Sequence, residues 1–320
     1  MKTKSAITDF YYKTLYPDLK DLEDKRKQLK QKILSIGGFI VLIASFIAFY
    51  IVNQRLPVDF LLFDIFATVV LVSILYKKMT KNYALEFKEL IIAPLINEIE
   101  SDFEYQPYKY ISPEYFHRAK FFTSHPDRTS GNDYVTGKID GIEVTFCDFH
   151  AEKKHKDSKG RTSWSTMFQG LFVVTEFPKK FHSSTIVLPD FAQNIFGDFI
   201  GSLLQENNFS RKQLIKMDSP EFEKNFVVYG DDQVEARYIL TPAFMQRILN
   251  FKKRSQAPLY LSFRGNIMYM GISYNKDMFE PSVFRSLLEY KIAMEYVDTL
   301  HLVMGLVDDL KLNQKLWSKL

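Results

Sequence analysis

The sequence predicts an α+β protein carried on a two-span transmembrane helical hairpin. Three observations predict it. Ile33 to Val52 is twenty residues without a charge. A connector, Asn53 to Asp59 with Pro57 in it, leads to a second apolar run, Phe60 to Tyr76, interrupted only by Asp64. From residue 130 onward, helical spacing gives way to short alternating runs separated by turn signals, which predicts a mainly antiparallel sheet.

Composition sets the outer bounds. A chain of 320 residues accommodates an anchor and one sizeable domain, or two small ones. The 46% apolar content excludes a mostly disordered chain. A formal charge of +4 is small for this length and argues against a dedicated nucleic-acid binder. The one cysteine, Cys147, leaves no intrachain disulfide, so no oxidising compartment is required.

Residues 1–32 form the expected helical arm. Leu15, Leu19, Leu22 and Leu29 fall on one helical stripe, with Arg26 where the series expects an apolar residue. A solvated helix running into the membrane is expected; a coiled coil, or packing on the soluble domain, is the alternative. No secretory signal fits, because the apolar stretch is long, begins after 32 residues and lacks a small-residue cleavage site.

The spans are 33–52 and 60–76. At ~1.5 Å rise per residue, about 20 residues cross ~30 Å of hydrocarbon. The second span, seventeen residues, sits at the short end of that range. Lys20, Lys25, Arg26, Lys27, Lys30 and Lys32 precede the first span, and Lys77, Lys78 and Lys81 follow the second; the connector has only Arg55. This asymmetry predicts loop 53–59 outside, both termini in the cytoplasm and, in a bacterium, an inner-membrane location. Asp64 is the intramembrane polar residue, about one turn in from the outer end.

Residues 77–129 are expected to be juxtamembrane helices. Lys81 to Phe103 has an apolar face, and Pro94 predicts a kink or break. Ser112-Pro113-Glu114 predicts a capped helix to about Phe122. Residues 130–280 form the α+β domain. Gly137 to Phe149 reads as a hairpin about Asp140-Gly141. Glu152 to Ser165 reads as a long exposed loop, and Phe168 to Phe177 and Ser184 to Leu188 as strands. Asp190 to Gln205 has helical spacing. Gln213 to Met217 and Phe226 to Tyr229 are strand-like, and Ser219-Pro220 and Thr241-Pro242 start helices. A second hairpin turns at Gly265-Asn266; Leu259, Leu261 and Phe263 alternate with Tyr260, Ser262 and Arg264, predicting one buried and one wet face. Residues 281–320 predict a long C-terminal helix whose seam includes Leu300, Val303, Val307 and Leu310, with homodimerisation as an alternative to docking.

The chemical motifs are sparse. No phosphate loop, dinucleotide fingerprint or Gly-x-Ser-x-Gly occurs. Cys147, His150 and His155 superficially resemble a metal set, but odd separation on a strand turns Cys147 and His150 to opposite faces. No catalytic residue, metal or cofactor is assigned. The candidate membrane-surface contacts are Lys77, Lys78 and Lys81 beside the second span, and Lys153, Lys154, Lys156, Lys159, Arg161 and Trp164 in the domain. Each cation near an anionic leaflet contributes ~1 kcal/mol.

Several stretches resemble the bacterial family known as domain of unknown function 3137. They are Phe168 to Val174, Met217-Asp218-Ser219-Pro220-Glu221-Phe222-Glu223-Lys224-Asn225-Phe226 with Tyr229, Tyr238 to Pro242, and Phe263-Arg264-Gly265-Asn266. The resemblance covers roughly residues 115–290. It implies an inner-membrane protein, sometimes encoded beside small membrane proteins of the LemA type, and brings no activity and no functional residues. Three readings follow. The first is a membrane-tethered cytoplasmic scaffold for a protein partner. The second is an enzyme whose carboxylates or histidines gather only in space. The third is an anionic-lipid sensor acting through loop 153–161.

Overall fold

The structure, a computed structural model, describes residues 4–139, 141–177, 180–190, 213–275 and 277–289, together with 294, 297, 298, 301, 304 and 305. The chain divides into two compact units: residues 1–99 with 280–294, and residues 100–279 with 295–320. The expected helix over Asp190 to Gln205 lies outside the described residues.

The first unit is a helical hairpin. Helix α1 (Lys4–Phe10) passes through a π-helical turn, Tyr11–Leu15, into α2 (Tyr16–Asn53). Helix α3 (Val58–Phe87) passes through a second π-turn, Lys88–Ile92, into α4 (Ala93–Ile99). Pro94, expected to kink or break its helix, and Pro17 are accommodated in the same way. Proline removes one amide donor and clashes with the carbonyl four residues earlier. In each case the π-turn ends two residues before the proline, at Pro17 and Pro94. The widened turn is closed by Tyr16 N–H to Tyr11 O and by Ala93 N–H to Lys88 O, one residue further back than in an α-helix. The helix therefore continues where a break was expected.

Exposure of apolar residues changes abruptly along these continuous helices. Leu42, Phe46 and Phe63 are 70%, 74% and 70% exposed, whereas Ile7, Leu22 and Ile92 are fully buried. The two helices are long and apolar enough to cross a membrane, and almost none of their most apolar stretches is buried in the protein. Below that band the Leu15-Leu19-Leu22 stripe is buried together with Tyr83, Phe87, Ile91 and Leu95. The arm is thus a packed stalk and not a solvated helix, and its apolar stripe is covered within the same chain.

Residues 281–289 correct the expected start of a C-terminal helix at Pro281. They form bends and turns, and the helical residues described begin at Met294. This strap is bound by side chains that replace helical hydrogen bonds. Arg26 Nη1 donates to Val283 O at 2.6 Å, and Leu287 N donates to Glu23 Oε2 at 2.9 Å. Arg26 and Glu23 pair at 2.7 and 2.8 Å, with their side chains 8% and 4% exposed. Lys88 pairs with Glu280 at 2.6 Å. The seam Leu300, Val303, Val307 and Leu310 lies outside the described residues.

The second unit is one antiparallel sheet, with nine strands among the described residues, in the order β1-β2-β3-β4-β9-β8-β5-β7-β6. The strands are β1 (Glu104–Gln106), β2 (Arg128–Ile139), β3 (Ile142–Lys156), β4 (Thr162–Glu176), β5 (Thr185–Pro189), β6 (Gln213–Leu214), β7 (Phe226–Gly230), β8 (Leu259–Arg264) and β9 (Ile267–Ser273). Helices α5 (Pro113–Ala119), α6 (Pro220–Glu223), α7 (Gln233–Ile239) and α8 (Pro242–Ser255) join them. Thr241 caps α8 as predicted, accepting from Phe244 N. Ser112 makes no side-chain cap, and α5 ends at Lys120, whose φ is +54°.

Both faces of the sheet's centre are covered. On one, Phe116 and Phe121 pack on Phe149, Phe172 and Tyr260. On the other, Phe244 of α8 meets Phe263. Strand β8 therefore has no wet face: Tyr260 and Ser262 are 7% and 0% exposed. Its alternation reflects two different buried environments, because β8 sits between β9 and β5 well inside the sheet.

Candidate functional site

The predicted loop 152–165 is mostly sheet. Strands β3 and β4 continue past the domain core as a two-stranded extension, paired from Glu152↔Thr166 to Lys156↔Thr162, and only residues 157–161 turn. Asp157 organises that turn, accepting from Lys159 N and Arg161 N at 2.9 and 2.8 Å and pairing with Arg161 at 2.7 Å. These contacts hold the Asp157 carboxyl below the ordinary range, the Arg161 hydrogen bond most of all. Gly160, with φ +75°, closes the turn.

The cations of this tip are not equivalent. Lys153 donates to His125 O at 2.8 Å and pairs with Asp127 at 3.3 Å. Arg128 pairs with Glu152 and lies 4.3 Å from the Trp164 ring, which Lys154 approaches at 5.9 Å. Lys156 and Lys159 have no carboxylate partner among the described residues. Trp164 is 40% exposed. Lys77, Lys78 and Lys81 are exposed on α3 in the other unit. Asp64 is half-buried and falls on the stripe Leu61, Asp64, Thr68 and Val72, all half-buried on a helix whose other residues there are exposed. That stripe is the one turned to α2.

The cysteine and histidines do not assemble. Cys147 is fully buried, and burial pushes its thiol far up, away from thiolate chemistry. His150 bonds Thr166 and His155 bonds Ser165 along the hairpin. No set of three metal-ligating residues occurs among the described residues. His117 and His125, scattered in sequence, pack with ring centres 4.5 Å apart at a tilt of 56°, and burial lowers the His117 pKa. Asp231 and Asp232 are not simply solvated: Asp231 accepts from Ser184 Oγ at 2.7 Å, and Asp232 caps α7 through Val234 N at 2.7 Å.

One pair of carboxyls does gather in space. A bulge in β2 between Asn132 and Val135 turns Asp133 to φ +57° and buries it completely. Asp133 accepts from the Tyr105 hydroxyl. Asp148, on the adjacent β3, is 1% exposed. Its Oδ2 accepts from Met278 N at 2.7 Å and Phe279 N at 3.4 Å, and its Oδ1 has no partner. Burial, then Asp133 and Asp277, raise the Asp148 pKa well above the carboxylate range. No surface reaches this acid, so it serves as a latch for residues 278–279. The i to i+15 spacing across a bulge offered no motif from which to find it.

The class these features define is an α+β sheet protein bearing a helical hairpin long and apolar enough for a membrane. Residues 166–312 match the family model described as Protein of unknown function (DUF3137). Among solved structures, the crystal structure of the mycobacterial trehalose monomycolate transport factor A, TtfA, is similar at 11% identity and a TM-score of 0.30, over 62% of this chain and 88% of that one. No match is found among curated proteins.

The Asp148 latch sets a pH dependence. Its folded pKa lies above the unfolded value, so its stabilising contribution is complete below roughly pH 4 and is lost as pH rises toward the folded pKa. Asp148→Asn keeps an acceptor for Met278 and Phe279 while removing the ionisation. Thermal unfolding is expected to show the variant gaining on the wild type as pH rises from about 4 to 8; parallel curves would contradict this.

Proposed function

We propose that this protein is a membrane-tethered scaffold whose hairpin crosses the inner membrane twice, with loop 53–59 outside and the sheet domain in the cytoplasm, where it serves a protein partner. One observation carries the reading: the exposed apolar band between Leu34 and Ile74 ends where the buried stalk begins, within the same two helices. A core helix would be buried throughout, and a solvated helix would not expose Phe39, Phe46 and Phe66 together. The cations at the stalk end of that band support the orientation. Homodimerisation through the C-terminal seam is a further proposal within the same reading.

Cysteine labelling tests the topology against a low background, because Cys147 is buried. In intact cells an impermeant maleimide is expected to label Arg55→Cys, and to label Ser158→Cys only after permeabilisation. Labelling of Ser158→Cys from outside would contradict the reading.

A second reading, contact with an anionic leaflet, is favoured by the exposed hairpin tip, where Lys156 and Lys159 remain without carboxylates beside Trp164. In proteoliposomes of a Trp317→Phe protein, brominated phosphatidylglycerol is expected to quench Trp164. Emission that ignores the brominated lipid would sink this reading.

A further inference from the structure

A cleft of about 340 Å³ opens on the sheet where residues 109–115 cross β2, β3 and β4. Its lining includes Tyr110, Tyr115 and Tyr134 together with Glu143, Thr145 and Glu176. Glu143 and Glu176 are register partners on adjacent antiparallel strands. Directly opposed side chains have Cβ atoms roughly 4.5–5.5 Å apart, and like charges placed so are destabilising. Glu143 is exposed and Glu176 half-buried, and neither has an ion pair among the described residues. Lys138 is the register partner of Glu143 on its other side, yet forms no salt bridge with it.

Among the described residues lining the cleft the cation is Lys109, and it is not on the glutamates. Lys109 Nζ lies 4.2 Å from the centre of the Tyr134 ring. The aromatic wall therefore already holds an ammonium group of this chain, by attraction to the ring face, while the opposed carboxylates remain unmatched. A second cleft, of about 300 Å³, shares Glu143 and adds Asp102, Glu104 and Lys138. The joined trough has four carboxylates (Asp102, Glu104, Glu143, Glu176) against two ammonium groups (Lys109, Lys138), a formal balance of −2.

We propose that this cleft binds an alkylammonium ligand, with the cation between Glu143 and Glu176 and its alkyl chain along Tyr110, Tyr115 and Tyr134. Rings and carboxylates together favour an organic cation over a hydrated metal ion, which the rings would not solvate. Lys109 is the internal competitor for the ring face. The ammonium group belongs either to a free polyamine or to a lysine side chain, and this inference stands apart from the tether reading, because the cleft lies wholly in the sheet domain.

Calorimetric titration of the full-length protein in detergent micelles tests it, with spermidine, a capped lysine tripeptide and MgCl2 as titrants. Saturable binding of spermidine or of the tripeptide is expected, and whichever binds identifies the source of the ammonium group. The double variant Glu143→Gln/Glu176→Gln is expected to weaken binding at least tenfold, and Lys109→Ala to tighten it several-fold. Thermal unfolding curves establish that both variants are folded. If neither ammonium titrant saturates, if MgCl2 competes equally, or if the folded double variant binds like the wild type, the inference is overturned.

Discussion

The buried pair of Glu23 and Arg26 is the constraint on which the hairpin unit depends. Desolvating two charges costs several kcal/mol per ion, and their mutual attraction offsets this only when the remaining donors and acceptors are also met. Here the strap meets them: Val283 O accepts a hydrogen bond from Arg26 Nη1, and Leu287 N donates one to Glu23 Oε2. The Arg26 hydrogen bond holds the Glu23 carboxyl below its ordinary range even though burial opposes it. An apolar residue at position 26 would pack on the stalk but would select no particular backbone. The ion pair selects residues 283–287 because only a non-helical segment presents a free carbonyl and a free amide at that spacing. The strap's irregular backbone and the misplaced-looking arginine are thus one feature.

The sheet unit follows a related rule: irregular backbone is placed where a polar group can hold it. The β2 bulge turns Asp133 inward toward Tyr105, and Asp148 holds the amides of Met278 and Phe279. Ser184 is fixed by Asp231, and His182 N and Ser183 N by Glu235. Aromatic packing about Phe116, Phe149 and Phe172 fills the face that α5 covers.

The hairpin was legible because a bilayer demands long uncharged helices, and residues 33–76 meet that demand locally. The antiparallel α+β class was legible from alternation and from the turn at Gly265. Less legible was anything that depended on a distant partner. The Leu15-Leu19-Leu22 stripe announced burial but not what covers it, and Arg26 read as an interruption because Val283 lies 257 residues away. The extension at 152–166 read as a loop because both its faces are polar, which erases alternation. Strand β8 read as half-wet because Tyr260 and Ser262 are polar residues inside a two-sided core. The facing of Glu143 and Glu176 depends on strand register, which no local pattern encodes.

The central claim is that the Glu23–Arg26 pair orders the strap on the hairpin stalk. Hydrogen exchange by mass spectrometry of the full-length protein in micelles, comparing wild type with Arg26→Ala, tests it most directly. The account predicts that peptides covering residues 281–289 lose most of their protection in the variant, the Leu287 amide foremost, while those covering β3 and β4 keep theirs. Unchanged protection of residues 281–289, with the variant folded, would contradict it.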